Sequence, residues 1–191
     1  MTIRSSQYVA CGQIALGLSL FICLLINPHY FFATNQGGVS NYGTYDQTRT
    51  LFILGFGAAA IGTFMGSIKL PKVSVKMNRL KMGMYLLSSL YLLVMATTFS
   101  YKTGGLNKEF HLWAALVLFL VMLYLSIWIR QKTSAGKRLR NAFIIFCIGS
   151  LIGALTAFEI IHLLFTAQVI SGVSFGYMLT RIVRICETKN V

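Results

Sequence analysis

"AFIIFCIGSLIGALTAFEIIHLLFTAQVISGVSFGYML", residues 142–179, is the stretch whose reading decides the fold. A single helix through it would run to roughly 60 Å at 1.5 Å per residue, about twice the thickness of a bilayer's hydrocarbon. Two helices joined by a tight turn near Ala157–Ile160 fit the length. No proline or glycine pair marks that turn. Glu159 and His162 argue for it instead, because they are the only ionisable side chains in the block and burial at mid-bilayer would be costly.

Outward from this block lie four apolar runs, Tyr8–Asn27, Thr50–Leu70, Met82–Tyr101 and Phe110–Ile129. Each is about twenty residues, the length a helix needs to cross a membrane. The chain therefore reads as a single transmembrane domain over residues 1–191: an all-α bundle of six helices at about 8–27, 50–70, 82–101, 110–129, 142–157 and 160–180, with an exoplasmic loop at 28–49. The composition agrees, since 56% hydrophobic residues, 11% charged residues and a mean hydropathy of +0.71 exceed what an ordinary soluble domain carries.

Lys and Arg collect in the short cytoplasmic loops of membrane proteins, which gives an independent test of the helix count. With both termini cytoplasmic, fourteen basic residues fall inside and only Arg49, Lys102 and Lys108 outside. Five helices would put the last basic cluster on the wrong side. The net charge of +13 is thus first a topology signal, with some attraction to anionic headgroups. The basic residues lie in separate short segments without a nucleic-acid-reading motif, so no nucleic acid is expected as a partner.

Arg4 precedes the first run, but that run is long for a signal sequence and ends at "INPHYFFATN" without a small-x-small cleavage site, so an uncleaved first helix is expected. Short loops and the charge bias suit a bacterial cytoplasmic membrane. Cys11, Cys23, Cys147 and Cys186 form no CxxC pair and read as small buried hydrophobes. Gly62/Gly66 (with Ala58 a turn earlier), Gly149/Gly153 and Gly172/Gly176 are spaced to let helix backbones approach closely.

The acids and histidines are distributed less evenly than composition explains. On this topology Asp46, Glu109, Glu159, His29, His111 and His162 all fall at exoplasmic helix ends, and only Glu187 is cytosolic. Asp46, His111, Glu159 and His162 are the candidate ligand-binding residues. The E-x-x-H spacing of Glu159 and His162 would put both on one helix face, as in di-metal bundles, but that pattern needs two such motifs and here there is one. No metal or other cofactor is therefore expected. Ser40 and Ser100 sit in no nucleophile elbow. In "NQGGVSNYGTYDQTRTLF", residues 35–52, Gly37, Gly38 and Gly43 allow tight turns while Ser40, Asn41 and Asp46 can bond locally, predicting a structured cap over the outer mouth. Its aromatics Tyr30, Phe31, Phe32, Tyr42 and Tyr45 suit the headgroup zone.

Three segments carry a resemblance. "GGVSNYGTYDQTRTLFILGFGAAAIGTF", residues 37–64, resembles the entry to the second helix in a six-helix membrane family of unknown function similar to the FRAG/DRAM-type proteins, with a Ser-x-x-Gly element at Ser40–Gly43. "EFHLWAALVLFLVMLY", residues 109–124, is similar to that group's fourth helix, and "AFEIIHLLFTAQVISGVSFGYMLTR", residues 157–181, to its last, although Ile160 stands where a tryptophan would follow the acid. The resemblance implies a compact polytopic protein of lipid membranes without established catalytic chemistry.

Three functions follow as expectations. The first is a non-enzymatic protein that binds or organises lipid or serves as a small subunit of a membrane assembly, its partners being membrane lipids, another membrane protein or further copies of itself. The second is an intramembrane enzyme acting on a lipid or isoprenoid at the outer interface through the acid and histidine cluster. The third is a small transporter, which would call for ionisable groups deep in the helices or broken helices in repeated halves; Gln13, Ser88, Ser89 and Gln168, the deepest polar groups, are uncharged.

Overall fold

A computed structural model describes residues 3–29, 38–70, 75–99, 106–132 and 136–188. Its six long helices are α1 (Ser5–Ile26), α2 (Asp46–Lys69), α3 (Val75–Thr98), α4 (Leu106–Lys132), α5 (Lys137–Ala157) and α6 (Leu164–Thr188), with one 3-10 turn at Val39–Gly43. All six are long and apolar enough to span a membrane, and no strand occurs among the described residues. The chain is an all-α six-helix bundle.

The helices outrun the apolar stretches that predict them. α3 begins at Val75 rather than Met82, and α5 at Lys137 rather than Ala142, because Lys and Arg are good helix formers and extend a helix into the headgroup zone. α2 begins at Asp46, whose carboxylate suits a helix N-terminus, so the loop between α1 and α2 is shorter than 28–49. At the other end of α2 the Leu70 carbonyl accepts a 2.9 Å bond from the buried Lys81 Nζ, placing a cation at the negative helix terminus before Pro71.

α1 and α2 approach each other backbone to backbone. A Cβ at Gly62 would stand 2.5 Å from the Tyr8 carbonyl oxygen, and one at Gly12 would stand 2.6 Å from that of Ala58. Gly66 lies against Val9 and Ser5, and Gly55 against Ser19, so one ridge of small residues on α2 receives α1 along much of its length. In hydrocarbon no hydrophobic drive pushes helices together, and such dispersion-rich contact is what holds them. Of the predicted glycine pairs, Gly149 packs on Ser171 and Gly176 on Gln13, whereas Gly172 has nothing within 4 Å.

The sequential pairs α1–α2, α2–α3, α3–α4 and α5–α6 pack closely, while α4 and α5 meet over few residues. α6 returns to α1 and closes the bundle. There the Ser6 N–H donates to Glu187 Oε1 at 3.0 Å and its hydroxyl to Glu187 Oε2, so a carboxylate from the last turn of α6 serves the first turn of α1. Both chain ends therefore lie at one end of the bundle, as an even number of crossings requires. In the interior, Gln13 Nε2 donates to Thr63 Oγ1 and Tyr91 OH to Gln13 Oε1, each at 3.5 Å, and Ser88 Oγ donates to the Ala60 carbonyl at 2.8 Å, joining α1, α2 and α3. Outside lies a girdle of exposed apolar side chains, among them Ile14, Leu18, Phe21, Leu54 and Ile61, suited to lipid.

Gly62→Leu is expected to lower the unfolding temperature in detergent by the equivalent of about 1–3 kcal/mol or more, because backbone, not a flexible side chain, stands where the new atoms must go. Gly57→Leu, with nothing within 4 Å of its Cβ direction, should change it little. Differential scanning fluorimetry of the two variants checks both.

Candidate functional site

At the end of the bundle away from the termini, the predicted cap is present and packed. The turn at Val39–Gly43 is held to α6 by the Val39 N–H donating to Gln168 Oε1 at 2.7 Å, and to α2 by Thr48 Oγ1 donating to the Tyr42 carbonyl at 2.6 Å. A Cβ at Gly38 would push aside the Gln168 amide that receives the Val39 N–H, and one at Gly43 would meet Thr98 and Phe52. Tyr42 is fully buried, edge-on to Phe165 at 5.7 Å, and burial pushes its phenol up to about 12, so it stays neutral. This corrects its assignment to the headgroup zone: Tyr42 is a plug. Tyr30, Phe31, Phe32 and Gly37 lie outside the described residues, as does Ser100, while Ser40 sits half-buried on the turn.

The four sequence-predicted site residues have different surroundings. Asp46, 89% exposed, pairs with Arg49 at 2.8 Å within the first turn of α2, a surface ion pair worth little in energy. His111 is buried at 3% exposure, its Nδ1 3.1 Å from Thr97 Oγ1 and 3.5 Å from Thr98 Oγ1. Both hydroxyls spend their hydrogens on α3 carbonyls, Thr97 on Leu93 at 2.8 Å and Thr98 on Val94 at 2.7 Å. His111 also bonds the Val94 carbonyl, so the imidazole is joined to the last turn of α3 through both threonine hydroxyls and the backbone. Through Thr98, whose methyl abuts Gly43, the histidine is built into the cap's footing.

Glu159 and His162 are exposed and lie between helices, not on one. The expected shared helix face of the E-x-x-H pair is thus replaced by a turn, for a local reason. α5 ends in a Schellman motif: the Ile160 N–H donates to the Leu155 carbonyl and the Glu159 N–H to that of Thr156, each at 3.0 Å. Glu159 occupies the left-handed position of that motif, φ 59°, where glycine is usual. Thr156 Oγ1 then accepts the Leu163 N–H at 3.3 Å, and α6 begins at Leu164 instead of residue 160. Among the described residues no three His, Cys, Asp or Glu side chains come together to hold a metal ion.

A second feature escapes sequence reading. α5 and α6 touch closely near their turn, Gly149 against Ser171 and Gly153 against Ala167. Beside that contact and on towards the termini they bound an open groove of about 620 Å³, lined by Arg138, Asn141, Ala142, Ile145, Val169, Ile170, Val173, Ser174 and Tyr177. Its walls are apolar because the one hydroxyl deep in it, Ser174 Oγ, is turned onto its own helix, donating to the Ile170 carbonyl at 2.6 Å. Arg138 and Asn141 stand at its mouth, at the start of α5.

No protein-family model, curated protein or solved structure matches the chain.

Replacing Glu159 by glycine separates a structural from a chemical role. A non-glycine residue in the left-handed region costs roughly 1 kcal/mol, so Glu159→Gly is expected to hold or raise the melting temperature in detergent. His111→Ala should instead destabilise by about 1–3 kcal/mol, because it leaves a cavity and removes the buried bonds that join α4 to Thr97, Thr98 and Val94 of α3. Thermal unfolding of the two variants in the same detergent reads both effects.

Proposed function

We propose that the chain is a non-enzymatic multi-pass protein, with both termini cytoplasmic, that binds and organises lipid through the groove between α5 and α6. The observation that carries this reading is the groove's character: about 620 Å³, within the size of small-molecule sites, walled by aliphatic side chains and open to the surface that lipid would cover. The interior polar groups support it from the other side. Gln13, Thr63, Tyr91 and Ser88 are spent on joining helices, and the exposed Asp46, Glu159 and His162 have separate surroundings, which leaves the lipid-modifying enzyme and the transporter readings with less to stand on. The excess of basic residues at the termini end favours the cytoplasmic side of a bacterial cell membrane for that end.

A role as a small subunit of a membrane assembly has its own support. Gly17, Gly57 and Gly172 have nothing within 4 Å of their Cβ directions, so a helix of another chain has room to approach their backbones closely.

Native mass spectrometry of protein released from lipid nanodiscs tests the reading. One lipid per chain should survive stepwise activation, and Val173→Trp, which fills the groove from an exposed position, should lose it. Wild-type protein emerging free of lipid, or a Val173→Trp variant that keeps it, would remove the groove as a lipid site.

A further inference from the structure

The groove occupies a definite depth. From Arg138 to Ile145 its α5 wall rises about 10 Å, and from Val169 to Tyr177 its α6 wall about 12 Å, at 1.5 Å per residue. The walls are staggered, because the register set by Gly149 against Ser171 and Gly153 against Ala167 puts Val169 well beyond Ile145, so the recess runs about 20 Å from Arg138 at the termini end to just past mid-bundle, roughly the length of one extended acyl chain. Arg138 and Asn141, in the first turns of α5, stand at headgroup level, while Ile145, Ile170 and Val173 lie deeper along the walls.

The charge at that mouth has one sign. Its lining contains a guanidinium and a carboxamide but no acid. Asp46, Glu109 and Glu159 all belong to the opposite end of the bundle, and Glu187 is engaged by Ser6. Tyr177 closes the α6 side, and one turn beyond it on the same face Arg181 has its Nε buried without a hydrogen-bond partner among the described residues. Arginine presents a planar fork that matches phosphate oxygens, and basic recesses between transmembrane helices suit anionic headgroups.

We propose that the α5–α6 groove selects an anionic glycerophospholipid from the leaflet at the termini end. Arg138 and Asn141 hold its phosphate, and one acyl chain lies along Ile145, Ile170 and Val173. The proposal rests on the lipid-binding reading above and adds the headgroup class, the leaflet and the residue that chooses. A zwitterionic lipid can fill the same apolar walls, so selection comes from the guanidinium at the mouth, not from the volume below it.

The test uses the full chain in nanodiscs of equimolar phosphatidylglycerol and phosphatidylcholine with matched acyl chains, and reads the identity of the lipid retained in native mass spectra. Wild-type protein should keep one lipid per chain, phosphatidylglycerol in about fivefold excess, the order expected of one well-placed cation near anionic lipid. Arg138→Gln, at an exposed position that leaves folding intact, should still keep a lipid but in equal proportions. Arg140→Gln, exposed on the same turn but outside the lining, should preserve the excess, which separates the groove from the general positive field of that end. Retained lipid without preference in the wild type, undiminished preference in Arg138→Gln, or equal losses in the two variants would overturn the headgroup assignment while leaving lipid binding intact. A wild-type chain that carries no lipid, or carries a second protein chain in its place, would overturn both.

Discussion

The contact between α1 and α2 is the constraint on which the rest of the bundle depends. Lipid tails are as apolar as the side chains they would replace, so two helices stay together in a membrane through dispersion at close range and the bonds that closeness allows. With Gly12 facing Gly62 the backbones come near enough for Gln13 on α1 to reach Thr63 on α2 and Tyr91 on α3. Larger residues at the glycine positions would move α1 outward and leave the Gln13 amide in hydrocarbon without partners, a cost of several kcal/mol. Close packing and interior polarity are therefore one arrangement. α6 relies on the same placement, since Gly176 lies on Gln13 and Glu187 serves the first turn of α1.

The two ends of the bundle solve different problems. At the capped end the 3-10 turn packs on α2, α3 and α6, held by the Gln168 and Thr48 bonds, and His111 of α4 joins α3 at Thr97 and Thr98. At the termini end, Arg138, Arg140 and Arg184 are exposed, Lys81 is turned in to the end of α2, and the structural carboxylate is Glu187. A histidine in the first case reads as a candidate ligand residue from sequence, because buried and exposed histidines look alike in a string of letters. What distinguishes them is whether a neighbouring helix ends at the same level with hydrogen-bonding groups to meet the ring, and α3 does so with Thr97 and Thr98.

The helix count was legible because the length of a membrane crossing is fixed by bilayer thickness, and the long block 142–179 could not be one helix. The exact break was not. Schellman motifs announce themselves through glycine, and here Glu159 takes the left-handed position, so the strongest local signal is missing while the hydrogen bonds remain. The same substitution of residue type explains why the E-x-x-H spacing misled: a spacing argument holds only where the backbone is helical. Gly12 went unnoticed because a lone glycine has no pattern, its role being defined by Gly62 on another helix. The cap was legible in part, since its glycines and Asx residues act locally, but the burial of Tyr42 depends on Phe165 from the far end of the sequence.

Arg138 shows why a candidate site can hide inside a topology signal. Counted with the other cations, it only helps to say which end of the bundle faces the cytoplasm. Its second aspect depends on the recess that α5 and α6 bound beside it, which no one-dimensional pattern records. Both aspects arise from the same physics, because the cation that resists crossing hydrocarbon is the cation left standing at headgroup level. Wherever a helix pair opens beneath such a residue, an apolar recess and a fixed positive charge come together at the depth where a phospholipid has its own chain and phosphate. In this chain α5 and α6 bound such a recess beside Arg138, and the weak contact between α4 and α5 leaves α5 held mainly by α6.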